Sequence, residues 1–443
     1  MDKDVLHQGV LFALQNPEHV ADPYPLYHRL RSETPFYWDF VLSGWFLTRY
    51  TDVRAALADP RLTTKNFPFD ASQLPSDLQD SVAPLLGALN KEVLHNAACE
   101  HDRLRRPLNR AFHPATFERL RPEMEELARE LLAKAERRRS MDVVSDYSEP
   151  LADHLLGNLL GLPQTNRAEF IKGCDRVRNF LMGRRMGRAT VLKARDAVKS
   201  FEAVRASVRT MIAARRESFS NDVIGQAFAI EANEAPPTED EVLANCVFFL
   251  HAGARNMSAA ITNAVLALLR HPEQFARLRD DPQLISVAVE ELLRYETPLQ
   301  VLTRGAPEEI EFAGRRIGPK QLLFLFVGAA NRDPEQFADP DRLDLTRRPN
   351  RHVSFGVGPH GCVGAWLARF GLAVALGAVV QRQTHLRLTR AKLDWNFPAM
   401  RRTVRALPVL VQTKTNGQMS LRIARTRSPR PAKAPRPPTL SLP

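Results

Sequence analysis

Cysteine is scarce in this chain. Cys99, Cys174, Cys246 and Cys362 are the only four among 443 residues, and they form no CxxC pair and share no regular spacing. That leaves no disulfide framework to read, and a reduced cytoplasmic protein is the simplest expectation. A leader segment is also missing: Asp2, Lys3, Asp4 and His7 crowd the first residues, where an apolar run would have to stand. Elsewhere the longest apolar stretches are broken by Asn, His or Arg and fall short of a span, so no transmembrane anchor is expected. No internal repeat is present. Acidic residues disappear after Thr415, where Arg422, Arg425, Arg427, Arg430, Lys433 and Arg436 carry six of the twelve net positive charges. From Ser428 this tail is rich in Pro, Arg and Ala, so residues 416–443 are expected to form a solvated extension, disordered at least from 428. A basic handle for an acidic partner, nucleic acid or a membrane surface is the less favoured reading of the tail, and for the protein as a whole no nucleic-acid partner is expected.

What is present points to a soluble globular protein, with 44% hydrophobic and 25% charged residues. Extended runs such as Val41-Leu42 and Trp45-Phe46-Leu47-Thr48 are expected near the start, and irregular chain from Thr64 to Ala98. Helical spacing dominates from His101 to Arg139, with a break at His113-Pro114, and again from Tyr147 to Arg216. A long helix is expected from about Glu239 to Arg270. A Thr238-x-x-Glu241 capping box starts it and His271-Pro272 stops it. At about 1.5 Å per residue it would approach 45 Å, and it is apolar on nearly every face, as a helix running through the core would be. Arg304 to Val327 reads as strands and turns, and a last long helix runs from about Val363 to Val380.

The most informative stretch is Phe355-Gly356-Val357-Gly358-Pro359-His360-Gly361-Cys362-Val363-Gly364. Its single cysteine follows a glycine-rich loop and opens a helix. Amide groups and the helix dipole there favour a negative sulfur, and both effects lower a cysteine pKa. A thiolate with no second cysteine nearby suits one axial bond to haem iron.

This segment resembles the haem-binding signature of the cytochrome P450 family: Phe355, Gly358, His360, Cys362 and Gly364 all stand at its positions. The resemblance extends over roughly Asp22 to Val411. Although length alone suggests about three domains, it implies one haem domain over residues 1–415. That domain would be mainly α with a minor β region, a triangular helical prism enclosing haem b with Cys362 as the metal ligand. It implies a Glu–Arg–Arg network of Glu291, Arg294 and Arg342 supporting the loop before the thiolate. It assigns His101, Arg105, Arg304 and His360 to the haem propionates, with Phe355 and Gly364 as further cofactor contacts. Arg103 and Arg106 would face an acidic ferredoxin or similar carrier fed by a NAD(P)H-dependent reductase. A monomeric monooxygenase is implied, inserting one oxygen atom from O2 into a terpenoid, polyketide or fatty-acid-like molecule, possibly a carboxylic acid.

The core helix departs from the family pattern. The usual Ala-Gly-x-acid-Thr is here Ala252-Gly253-Ala254-Arg255-Asn256. Ala252 and Gly253 would leave room for dioxygen. Asn256 donates and accepts hydrogen bonds but is no acid, and Arg255 cannot shuttle protons by titrating. Three readings stay open. Asn256 can hold an ordered water in a modified relay. Arg255 can pair with a substrate carboxylate, as in the family's peroxide-using fatty-acid branch, although that branch follows its Arg with Pro. Or Arg255 can sit in a structural ion pair away from the haem. A peroxygenase, a non-oxygenating haem-thiolate enzyme or a sensor is the alternative to the monooxygenase.

Overall fold

A computed structural model describes residues 16–64, 74–95, 98–182, 188–218, 222–228, 236–382, 385–396 and 401–412. The tail from 416 lies outside them. Among the described residues, helices of eight or more residues are α1 Tyr24–Glu33, α2 Tyr50–Ala58, α3 Ser76–Leu89, α4 Ala98–Ala111, α5 Arg121–Arg138, α6 Glu149–Leu159 and α7 Arg167–Met182. They continue with α8 Arg188–Glu217, α9 Glu239–Phe248, α10 Arg255–Arg270, α11 Pro272–Asp280, α12 Ile285–Tyr295 and α13 Ala365–Gln381. Strands are few. β1 Phe36–Asp39, β2 Gly44–Leu47, β7 Leu322–Leu325 and β4 Leu302–Gly305 form one sheet in that order, with β2 and β7 parallel. β3 Ser140–Asp142, β9 Pro408–Gln412 and β8 His385–Leu388 form a second, and β5 Ile310–Phe312 pairs with β6 Arg315–Ile317. This is the expected mainly helical fold with a minor β region.

The core helix starts where its capping box requires. The Glu241 N–H donates to Thr238 Oγ1 at 3.3 Å and the Thr238 N–H to Glu241 Oε2 at 2.7 Å, satisfying two otherwise orphaned donors. It is not regular throughout. Between α9 and α10, Phe249–Ala254 form a π-helical segment, a widening that accommodates one extra residue in the turn and recurs at functional sites. The following helix, α10, is buried almost entirely. Beside it α13 comes so close at Gly371 that a Cβ there would stand 2.7 Å from Met257 Sδ, and the Met257 side chain would have to move to admit it. Tyr147, fully buried, ties the layers together through its hydroxyl to Ala375 O at 2.6 Å.

Two local expectations are corrected. Val41 and Leu42 lie in the turn between β1 and β2, because four-residue strands leave them beyond the paired register Phe36↔Leu47 to Asp39↔Gly44. The region around Pro84 is not irregular: α3 takes Pro84 inside it and buries Leu78, Val82 and Leu85, so packing of an apolar face outweighs the missing N–H. The break at His113-Pro114 stands as expected, with Pro114 opening a short helix.

Candidate functional site

Cys362 is placed by its loop. Gly356 and Gly358 take φ of 65° and 79°, and at Gly358 a Cβ would lie 2.9 Å from Ala58 Cα, so this turn passes α2 only as glycine. The Cys362 N–H then donates to Phe355 O at 2.8 Å, and Gly364 caps α13. Cys362 is exposed, in a loop whose other residues are half-buried or exposed. Sequence reasoning places its pKa low; in the folded chain without a metal the direction is upward. Burial dominates, opposed by the Gly364 N–H and the charges of Arg105 and Arg369. A bond to iron reverses that balance by deprotonating the thiol outright.

The residues expected to hold the propionates lie close together. The rings of His101 and His360 lie 4.4 Å apart, and Arg105 donates to Gly361 O at 2.6 Å. Burial first, then the charges of His101, Arg304 and Arg105, lower the His360 pKa to about 4. His101 meets the exposed Asp102 at 3.3 Å through Nδ1. Arg304 tells most. It is 5% exposed, its side chain donates to Thr303 O at 3.0 Å, and among the described residues no carboxylate lies within 4 Å of it. Burial lowers its pKa to about 10. Buried cations without counter-ions call for an anion. Two propionates entering here and an iron above Cys362 fit this set of donors.

Support for the loop departs from expectation in one member. Glu291 and Arg294 are fully buried and bonded through Nε–Oε2 at 2.7 Å and Nη2–Oε1 at 2.8 Å. The second arginine is Arg347, not Arg342: Arg347 Nε reaches Glu291 Oε1 at 3.2 Å. Arg342 has an exposed side chain and contributes its carbonyl, which accepts from both Arg294 and Arg347. Asp339, with φ 45°, stands three residues before Arg342 in irregular chain, and Arg347 follows Arg342 by five. Asp344 N–H and Asn350 Nδ2, each at 3.0 Å, complete the shell around Glu291. A parallel pair that sequence reasoning missed holds Phe355: Arg369 stacks on its ring at 4.5 Å while binding Glu290 at 2.6 and 2.9 Å. Burial opposes ionisation of Glu290, but His352 and Arg369 together hold its pKa at about 2.

Across the π segment, neighbours part company. Arg255 turns toward α6 and α7, where Glu149 Oε1 at 3.1 Å, Asp153 Oδ1 at 2.7 Å and Asp175 Oδ2 at 3.4 Å surround it. Burial would lower its pKa, yet the three carboxylates raise it. Its charge is therefore already paired within the chain, the arrangement of the structural ion-pair reading. Gly253 also faces α6, where a Cβ would meet Leu156 Cδ1 at 3.1 Å, so its smallness serves close packing of the two helices. Ala252 and Asn256, four apart, share another face and are partly accessible. Asn256 Oδ1 is buried without a partner. His251 is 7% exposed, with Nδ1 at 3.1 Å from Asp175 and Nε2 at 3.5 Å from Arg401. The Glu149/Asp153 pair at helical i, i+4 spacing was the available signal for the carboxylate cage. Arg103 is also reassigned: it binds Glu100 and Glu241, because Glu241 begins the core helix beside it. Its charge is therefore engaged within the chain; Arg106, on the same helix, is exposed.

Fold and site together define a haem-binding protein with one cysteine axial ligand. The comparisons with known proteins agree. A cytochrome P450 family model matches residues 80–392. The chain is 33% identical to a "Biotin biosynthesis cytochrome P450" of Bacillus subtilis over 386 residues, covering 86% of this chain and 93% of that one. It is 29% identical to "Polyketide biosynthesis cytochrome P450 PksS" of the same organism, covering 91% and 99%. Among solved structures, P450BioI in complex with hexadec-9Z-enoic acid ligated acyl carrier protein matches with a TM-score of 0.79 at 32% identity, covering 89% of this chain and 100% of that one. CalO2 matches with a TM-score of 0.81 at 30% identity, covering 89% and 97%. The chain belongs to the cytochrome P450 family, oxidoreductases that bind haem b through a cysteine thiolate. Among the described residues, no helix is long and apolar enough to cross a membrane.

Proposed function

We propose that this protein is a monooxygenase of biosynthetic or secondary metabolism that oxidises an apolar, chain-like molecule of fatty-acid or polyketide type. Electrons would come from a ferredoxin-type carrier and its NAD(P)H-dependent reductase. Thiolate-bound haem supplies the oxygen chemistry, activating O2 and transferring one of its atoms. The chain's own residues do the rest. Cys362 would hold the iron through its thiolate, while His101, Arg105, Arg304 and His360 would bind the propionates. Ala252 leaves space over the reactive face. Asn256 holds a water there, accepting through Oδ1 and donating through its amide, so protons arrive through water rather than from an acid on the core helix. The observation that carries this reading is the buried, unpartnered Asn256 Oδ1 beside Ala252. The names of the relatives, with biotin, polyketide and acyl-carrier complexes among them, support the substrate class. Exposed Arg106, on the helix that carries the propionate ligand Arg105, suits an acidic carrier.

The carboxylate cage around Arg255 weighs against a peroxide-driven reading in which that arginine pairs with a substrate acid. Turnover of dodecanoic acid by the holoenzyme tests the choice. Product is expected with NADPH, ferredoxin reductase and ferredoxin, falling at least about tenfold when ferredoxin is left out. Equal or greater turnover with hydrogen peroxide alone would sink the monooxygenase reading and favour a peroxygenase.

A further inference from the structure

Two adjacent arginines near the end of the described chain leave the backbone on opposite sides. Arg402 is 5% exposed and fully engaged. It binds Glu296 at 2.5 Å, donates to Val20 O and Ala21 O at 3.1 and 3.0 Å, and stacks on Trp395 at 4.0 Å. Arg401 has no such set. Its backbone pairs with Leu299, and its guanidinium reaches His251 Nε2 at 3.5 Å. Among the described residues no carboxylate lies within 4 Å of it.

The surrounding charges are committed elsewhere. Arg178 donates to the buried Glu92 at 2.5 Å. Arg255 sits among Glu149, Asp153 and Asp175. Asp175 is shared between Arg255 and His251. Burial first and then the charge of Arg255 lower the Arg401 pKa, with Arg178 adding to them and Asp175 opposing. The arginine therefore stands largely desolvated at a meeting of three walls. These are the Leu299 segment, the π segment through His251, and α7, which packs on that segment. His251 precedes Asn256 by five residues, roughly 7 Å along the helix.

We propose that Arg401 is the anchor for a carboxylate at one end of the substrate, holding that end beside His251 while the apolar remainder lies over Ala252 and Asn256. The planar guanidinium suits a carboxylate through paired N–H donors, and an arriving anion supplies the counter-charge that the described residues do not. Arg255, the sequence-level candidate for this task, is already surrounded. The proposal rests on the reading of the pocket as one for apolar molecules. It commits further to a free acid, since a carrier-bound acyl thioester has no carboxylate to offer.

The test is equilibrium binding to the haem-loaded enzyme, followed by the Soret shift and by calorimetry. The probes are dodecanoate, dodecan-1-ol and the N-acetylcysteamine thioester of dodecanoic acid, together with the ring-based pair 4-cyclohexylbenzoate and its benzyl alcohol. Wild type is expected to favour the acid over its alcohol by at least about tenfold. Arg401→Gln should remove that preference while leaving alcohol binding and the reduced carbon-monoxide spectrum unchanged, and Arg401→Lys should restore part of it. An acid preference confined to the ring pair would keep the anchor while dismissing the chain-like substrate. Acid binding that R401Q leaves within about twofold, thioester binding as tight as the acid, or no binding of any acid would overturn the anchor.

Discussion

Glu291→Gln is expected to abolish recovery of haem-loaded protein, with a loss of stability of about 3–5 kcal/mol. The carboxylate is fully buried and accepts two bonds from Arg294, one from Arg347, one from the Asp344 N–H and one from Asn350. Glutamine keeps the shape, but it turns one acceptor into a donor facing other donors. It also leaves two guanidinium groups without an anion in a place water does not reach. The loss reaches the cofactor because the same network organises the chain that leads into Phe355 and Cys362. Arg294 also donates to Asn331 O and Pro340 O at 2.8 Å, and Asn331 in turn binds the Val353 N–H and Ser354 Oγ. Arg347→Ala should cost about as much as one broken buried pair, whereas Arg342→Ala should stay within about 0.5 kcal/mol, as an exposed side chain does. Urea midpoints and haem content per chain measure both. Arg342→Ala proving as costly as Arg347→Ala would overturn the assignment.

Arg304→Gln is expected to weaken haem retention by about ten- to a hundredfold, the worth of one charge-assisted hydrogen bond. Its guanidinium is the most isolated of the four propionate donors, with a backbone carbonyl as its hydrogen-bond partner. Transfer of haem from the enzyme to excess apomyoglobin gives the rate directly. Arg304→Lys should fall between, because it keeps the charge but loses the fork. A transfer rate unchanged in Arg304→Gln would show that the propionates lie elsewhere.

The proximal half of this site was legible because it is local. Cys362, its glycines, His360 and the start of α13 lie within one short stretch, and backbone conformation there follows from residue type. The Glu291–Arg294 pair was legible for the same reason, being one helix turn apart. Arg347 was not: Arg342 and Arg347 lie in irregular chain, with nothing periodic to reveal which of them turns inward. The core helix was legible in extent but not in its π segment, because an all-apolar sequence carries no phase to mark an extra residue. The reversal at Arg255 was visible, yet its meaning lay in Glu149, Asp153 and Asp175, more than seventy residues away. Arg401 gave no signal at all beside Arg402, since only the strand bridge to Leu299 sends the two to opposite sides. The tail's charge can be read in composition, but it lies outside the described residues.

The account turns on two neighbouring residues having different tasks: Asn256 on the reactive face, Arg255 in a structural cage. The ratio of product formed to NADPH consumed, measured side by side in wild type, Asn256→Ala and Arg255→Gln, tests this most directly. The expected result is a ratio at least about tenfold lower in Asn256→Ala, the scale of a lost proton-delivery contact. Arg255→Gln should lose stability yet keep the wild-type ratio in the protein that remains folded. A ratio that collapses in Arg255→Gln and survives in Asn256→Ala would contradict the account.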